Sequence, residues 1–182
     1  MLKYMLQLVV ILFFMGSQYA FAQTCLSTLR ATTPTSDFTI HDNGTVTHNV
    51  TGLMWMRCSL GQTWNQDDEE CEGSASQYTW VNALAAAGGD ETAGYTNWRL
   101  PNRNELLSII EAKCHSPAIN SDIFPNMPTT NKGNPIYWSA TPDSQPRVSN
   151  SWTVYFGDAR SIGRGRDNRF RLEHVRLVRD IE

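Results

Sequence analysis

Apolar positions follow three patterns along this chain. The first is a nearly unbroken run from Met5 to Met15, interrupted by Gln7, preceded by Lys3 and followed by Ala20-Phe21-Ala22. A short positive head, an apolar stretch too short for a comfortable bilayer span and an A-x-A cleavage site predict a secretory signal over residues 1–22. Residues 23–182 then form a single domain, of a size that buries roughly two-thirds of its unfolded surface.

The second pattern has period two. FTIH and TVTH flank Asp42-Asn43-Gly44, turn residues that accept positive φ, and together they predict a β-hairpin. Thr51-Gly52 turns the chain again into LMWMRC. In the last third, IYWSA, SWTVYF and HVRLVRD read as strands.

The third pattern is helical. Ser76 to Ala87 predicts a first helix, capped by Ser76 or Thr79, with Trp80, Leu84 and Ala87 on one face and Gly88-Gly89 as its stop. The stretch from Trp98 to Ile110, WRLPNRNELLSII, predicts a short strand, a corner and a second helix. Trp98 and Leu100 alternate with Arg99, and Pro101 holds Leu100 extended. Asn102 is the N-cap and Glu105 completes a capping box, ahead of apolar positions at Leu106, Leu107, Ile109 and Ile110. From His115 to Pro135 there is no period and four prolines interrupt the chain, so a long irregular loop is expected there.

Charge changes the picture little until it is resolved by region. The chain has 15 Lys+Arg against 18 Asp+Glu, and removing Lys3 with the signal leaves 14 against 18, or −4. That balance argues against a nucleic-acid partner. No second apolar run reaches spanning length, so no stable membrane span is expected after signal removal. From residue 147 onward, however, eight arginines face five acids, a local +3.

The four cysteines, Cys25, Cys58, Cys71 and Cys114, all lie after the signal. An oxidising destination permits disulfides, and four cysteines allow three connectivities. Cys58–Cys71 closing a short polar loop is favoured, which leaves Cys25–Cys114 to pin the N-terminal arm. A metal site is disfavoured because no C-x-x-C is present and no His stands at ligand spacing from a Cys except adjacent His115. No cofactor is expected.

The order TGLMW, a cysteine loop, TWVNALAAA, NWRLPNRNEL, INSDIFPN, YWSAT, SWTVYF and VRLVRD resembles the Lcl C-terminal domain family, the C-terminal domain of a bacterial collagen-like adhesin. The resemblance runs from about Phe38 to Asp180, and WRLP-x-x-x-EL and YWS are its distinctive pieces. It implies an α+β, C-type-lectin-like fold, related to formylglycine-generating enzymes. In such a fold two helices pack on small antiparallel sheets with long loops, here stapled by disulfides. It also implies export and, as in the adhesin, binding of sulfated glycans. The chain departs from these relatives in lacking a collagen-like repeat, the calcium-lectin motifs E-P-N and W-N-D, and any marked redox-active cysteine pair.

Candidate binding chemistry is concentrated near the end. Arg160, Arg164, Arg166, Arg169 and Arg171 crowd a loop with two glycines, and guanidinium groups fork onto sulfate, carboxylate or phosphate as lysine cannot. The competing reading pairs these arginines with nearby acids on a solvated surface. Trp64 stands in a polar loop where no periodicity demands it, which makes it a candidate ligand-facing ring. Trp55, Trp80, Trp98, Trp138 and Trp152 sit in regular elements and are assigned to the core. The acidic run Asp67, Asp68, Glu69, Glu70 and Glu72 lacks the spacing of a calcium loop and is read as solvated. His41, His48, His115 and His174 are scattered, and Ser139 is not in a G-x-S-x-G elbow, so no catalytic set emerges. The expectation is an exported, non-catalytic recognition domain, periplasmic, cell-surface or extracellular. Its expected partner is a sulfated or acidic glycan, or an envelope protein. The alternatives are a structural subunit of an envelope or appendage assembly and, behind it, a formylglycine-generating-type enzyme.

Overall fold

The Asn102 box forms as its residues dictate. Asn102 Oδ1 accepts from the Glu105 N–H at 2.9 Å, and Glu105 Oε2 accepts from the Asn102 N–H at 2.7 Å. The computed structural model in which this is seen describes residues 23–128, 135–143, 150–157, 165–168 and 170–181. The expected signal, residues 1–22, lies outside the described residues.

The elements, in chain order, begin with β1 (Thr24–Cys25), β2 (Phe38–Ile40), β3 (Thr45–His48), β4 (Leu53–Met56), β5 (Thr63–Asn65), β6 (Glu70–Glu72) and β7 (Gln77–Tyr78). Then come α1 (Trp80–Gly88), α2 (Arg103–Ser108), β8 (Cys114–His115), β9 (Ile136–Pro142), β10 (Asn150–Tyr155), β11 (Gly165–Asn168), β12 (Glu173–His174) and β13 (Val178–Asp180). One sheet runs β13-β4-β3-β2 and is antiparallel throughout. A second runs β11-β10-β9-β12-β7, with β12 parallel to β9 through the single register pair His174↔Tyr137. Two small ladders, β1-β8 and β5-β6, complete the set. The fold is a small α+β unit with two helices, several antiparallel sheets and two disulfides.

The predicted β2–β3 hairpin is present, with Gly44 at φ 78° in its turn and Gly52 at φ 69° in the next. In the Trp98 segment, Trp98 and Leu100 are buried, while Arg99 bridges Val178 through two backbone hydrogen bonds. α2 stops at Ser108, before the end of the apolar stripe, because Ile110 leaves the helix to bridge Ile119. Leu106, Ile109 and Ile110 are still buried there, and Leu107 packs partly against them.

Three expectations need correction. First, α1 begins at Trp80 with Thr79 as its cap, because Gln77 and Tyr78 are drawn into strand pairing with His174 and Glu173. Its buried face is Ala83 and Ala87, small residues beneath Trp98 and Trp138, while Leu84 is exposed. Second, HVRLVRD is two strands in two sheets, with Val175 and Leu177 buried between them. Third, the glycine-arginine loop contains β11, paired antiparallel to β10. The segment after His115 is irregular over its described part, as expected, and it also gives Ala118, Ile119, Ile123 and Phe124 to the buried core. Its backbone is satisfied by specific partners: Arg57 Nε donates to the Ile123 carbonyl at 2.9 Å and Arg57 Nη2 to the Asp122 carbonyl at 3.0 Å.

Both cysteine pairings are as favoured from the sequence. Cys25–Cys114 joins cross-strand partners of β1 and β8, and Cys58–Cys71 closes a short segment. The N-terminal arm has a second tether. The buried Glu111 carboxylate accepts from the N–H groups of Thr32 (3.0 Å), Thr33 (2.9 Å) and Lys113 (3.0 Å), and from the Thr33 hydroxyl at 3.1 Å. Burial alone would raise its pKa, but these hydrogen bonds outweigh it and hold the carboxyl below its ordinary range.

Candidate functional site

Of the arginines singled out from the sequence, Arg160, Arg164 and Arg169 lie outside the described residues. Arg166 stands on β11, its Cα in register with Trp152 of β10. Arg171 is half-exposed, its Nε 3.5 Å from a Glu173 oxygen, so it already has an acid beside it.

Trp64, on β5, is half-buried. Its indole N–H donates to the Asp42 carbonyl at 3.0 Å, and the Arg57 guanidinium lies 4.2 Å from its ring centroid. The ring also presses on Gly44, where an added Cβ would meet Trp64 Cγ at 2.6 Å. These contacts tie the β5–β6 hairpin to the β2–β3 turn. Of the acidic run, Asp67, Asp68 and Glu69 form that hairpin's tip, and Glu70 and Glu72 stand on β6. Asn65 Nδ2 donates to Asp68 Oδ2 and Glu72 Oε1, and Asn65 Oδ1 accepts from the N–H groups of Asp67 and Asp68. Among the described residues no group of three or more His, Cys, Asp or Glu is placed to hold a metal.

A binding geometry appears elsewhere, where the start of α2 faces β9 and β10. A cleft of about 490 Å³ is lined by Thr51, Asn102, Arg103, Asn104, Thr141 and Trp152, among others. Arg103 is the first residue of α2, and its N–H donates to Thr141 Oγ1 at 3.0 Å. Its guanidinium carbon lies 4.5 Å from the Trp152 ring centroid, a cation–π stack. Trp152, assigned to the core from sequence, is half-buried and forms part of the cleft wall.

What matters chemically is where the nearby acid has gone. Glu105, two residues on, is taken by Arg99: Nη1 reaches Oε2 at 2.8 Å and Nη2 reaches Oε1 at 2.9 Å. Arg99 also reaches Asp180 at 3.1 Å. The Glu105 hydrogen bonds, with help from Asp180, raise the Arg99 pKa above its ordinary range, and Arg99 in turn lowers that of Asp180. Arg103 is left with no ion-pair partner among the described residues, and its buried Nε has no hydrogen-bond partner. The cleft therefore offers a guanidinium laid on an indole, flanked by side-chain amides and hydroxyls. That is a donor set for an anionic oxygen ligand carried on a polyhydroxyl frame.

Sequence reasoning missed this pair. The stretch 102–105 was legible only as a cap, and Trp152 only as a strand residue. One local signal existed: positions 106 and 107, where a helical arginine at 103 would seek an acid, are both leucine.

Fold and cleft together define a disulfide-stapled α+β scaffold with a polar, aromatic-walled cleft. The Lcl C-terminal domain signature matches residues 44–179, and the chain belongs to that family. The match includes both residues of the cleft's cation–π stack and most of the segment whose motifs carried the resemblance. No curated protein matches the chain.

Proposed function

We propose that this chain is an exported, non-catalytic recognition domain that binds sulfated or otherwise acidic glycans through the Arg103–Trp152 cleft. The observation that carries the reading is a guanidinium stacked on an indole with no acid paired to it among the described residues, in a cleft of amides and hydroxyls whose one described acid, Glu105, is held by Arg99. The stack fixes the guanidinium plane, so less freedom is lost when its N–H edge engages sulfate or carboxylate. β11 lies next to β10, with the Cα of Arg166 in register with Trp152, and we infer that the arginines singled out from the sequence add positive charge to the chain's affinity for such ligands.

Two disulfides are in keeping with export to an oxidising compartment. The succession of hairpin, two helices and terminal strands is in keeping with a C-type-lectin-like architecture. The reading assigns no cofactor and no catalytic group. Replacement tests it: Arg103→Ala is expected to weaken binding of the exported chain to a sulfated glycosaminoglycan about tenfold, equivalent to about 1.4 kcal/mol. Arg103→Lys is expected to restore only part of the loss, because an ammonium cannot fork. Wild-type affinity in both variants, with fold confirmed by circular dichroism, would remove this cleft from the account.

A further inference from the structure

A second cleft, of about 700 Å³, lies between the segment joining β6 to β7 and the Asn126–Pro128 segment. Its walls include Gln62, Ser74, Gln77, Asn126, Met127 and His174, with no Asp, Glu, Lys or Arg among its described lining residues. Its chemistry is therefore unlike that of the Arg103–Trp152 cleft.

The polar groups here are oriented by bonds they already make. Gln62 Oε1 accepts from the Ser59 N–H at 3.1 Å, and Gln62 Nε2 donates to the Asn126 carbonyl at 3.1 Å. Asn126 Oδ1 accepts from the Cys71 N–H at 3.1 Å. An N–H can only donate, so the side-chain orientation of Asn126 is fixed and its Nδ2 remains a donor without a partner among the described residues. His174 Nδ1 lies 3.3 Å from the Ser76 carbonyl, which can only accept. Nδ1 therefore carries the hydrogen and Nε2 is a lone-pair acceptor, buried and unpartnered. His174 is 4% exposed, and burial, joined by neighbouring Arg176 and opposed by the Ser76 bond, lowers its pKa. The Gly73–Ala75 backbone, on the same wall, makes no hydrogen bond among the described residues. The apolar contribution is Met127, whose sulfur accepts from Arg176 Nη2 at 2.9 Å and from the Tyr137 hydroxyl at 3.3 Å.

We propose that this cleft is a second binding site, for an uncharged polyhydroxylated ligand of the neutral-sugar class, held by the Asn126 amide, the Gln77 amide and the His174 acceptor. A sugar hydroxyl donates and accepts at once, and a neighbouring pair of hydroxyls matches a wall that offers a fixed donor, a fixed acceptor and a side-chain amide that does both. A charged ligand would find no counter-charge among the described lining residues. The site stands apart from the anionic-glycan reading of the first cleft, and the two are separable by salt and by mutation.

The test is a titration of the ¹⁵N-labelled exported chain, disulfides intact, with a panel of neutral mono- and disaccharides in high salt, where binding at Arg103 is screened. The expected result is saturable amide shifts over Gly73–Gln77 and at Asn126. These are expected to weaken at least tenfold in Gln77→Ala and in Asn126→Gly and to be unchanged in Arg103→Ala. Gln77 is exposed, and Asn126 has φ 49°, which glycine accepts, so both variants keep the fold. Absence of saturable shifts in this cleft at about 100 mM of every sugar tested, a ceiling well above millimolar affinity, would overturn the proposal. So would shifts that persist at wild-type affinity in both variants.

Discussion

At the scale of single residues, this molecule is organised by where each charge finds its partner. Glu111 is buried and saturated by N–H and hydroxyl donors from Thr32, Thr33 and Lys113. Replacing it by Gln keeps the shape but not the charge-assisted bonds, and is expected to cost about 2–3 kcal/mol at neutral pH. Its folded pKa is below its ordinary value of 4.5. The stabilisation is therefore complete above that value and is lost as pH falls through the lower folded one. Urea unfolding at pH 7 and at strongly acidic pH checks this: the gap between wild type and Glu111→Gln should shrink in acid, and a pH-independent gap would refute the assignment. Arg103 is the opposite case, since its neighbouring acid is held by Arg99. That allocation was not legible in the sequence. Arg99, Arg103 and Glu105 are all local, but which arginine wins depends on Asp180 and on the bridge to Val178, both from the far end of the chain.

At the scale of elements, legibility followed locality. The Trp98–Ile110 segment announces itself through proline, cap, box and period, all within a few residues, and the cap is expected to contribute about 1 kcal/mol. Asn102→Ala should lower thermal stability by that amount, and Leu106→Ala, at a fully buried site, by about 2–5 kcal/mol. The start of α1 was read too early because Gln77 and Tyr78 answer to β12, a partner from the other end of the chain. The segment after His115 looked irregular because its burial has no period: Ile119, Ile123 and Phe124 reach the core from a backbone held by Arg57 rather than by a helix or ladder.

The two disulfides span 89 and 13 residues. On the chain-entropy account their removal should cost about 4–5 and about 3 kcal/mol respectively. Paired Cys→Ser variants, compared by denaturant midpoint, are expected to fall in that order. A near-zero loss for the Cys25–Cys114 pair would show that tethering the arm through Glu111 makes that link redundant.

At the scale of the whole molecule, the last strands hold the architecture together. β12 belongs to one sheet and β13 to the other, and buried Val175 and Leu177 span the gap beside a fully buried Arg176 that donates to the Met56 and Arg57 carbonyls. The family was legible because its motifs coincide with these structural necessities: WRLP with the bridge and the cap, and YWS with a central strand of the five-stranded sheet. The binding surface was less legible. The arginine-rich segment drew attention by composition, whereas the cleft pairs Arg103 with Trp152, a juxtaposition that only the fold creates.

The most direct measurement of the central claim is binding of purified residues 23–182 to an array of sulfated, acidic and neutral glycans at two salt concentrations, with and without EDTA. The account predicts retention on sulfated and acidic chains that weakens with salt, as expected for a half-buried guanidinium in an open cleft, and that survives EDTA. Failure to bind any sulfated or acidic chain, or binding to them that ignores salt or disappears with EDTA, would contradict it.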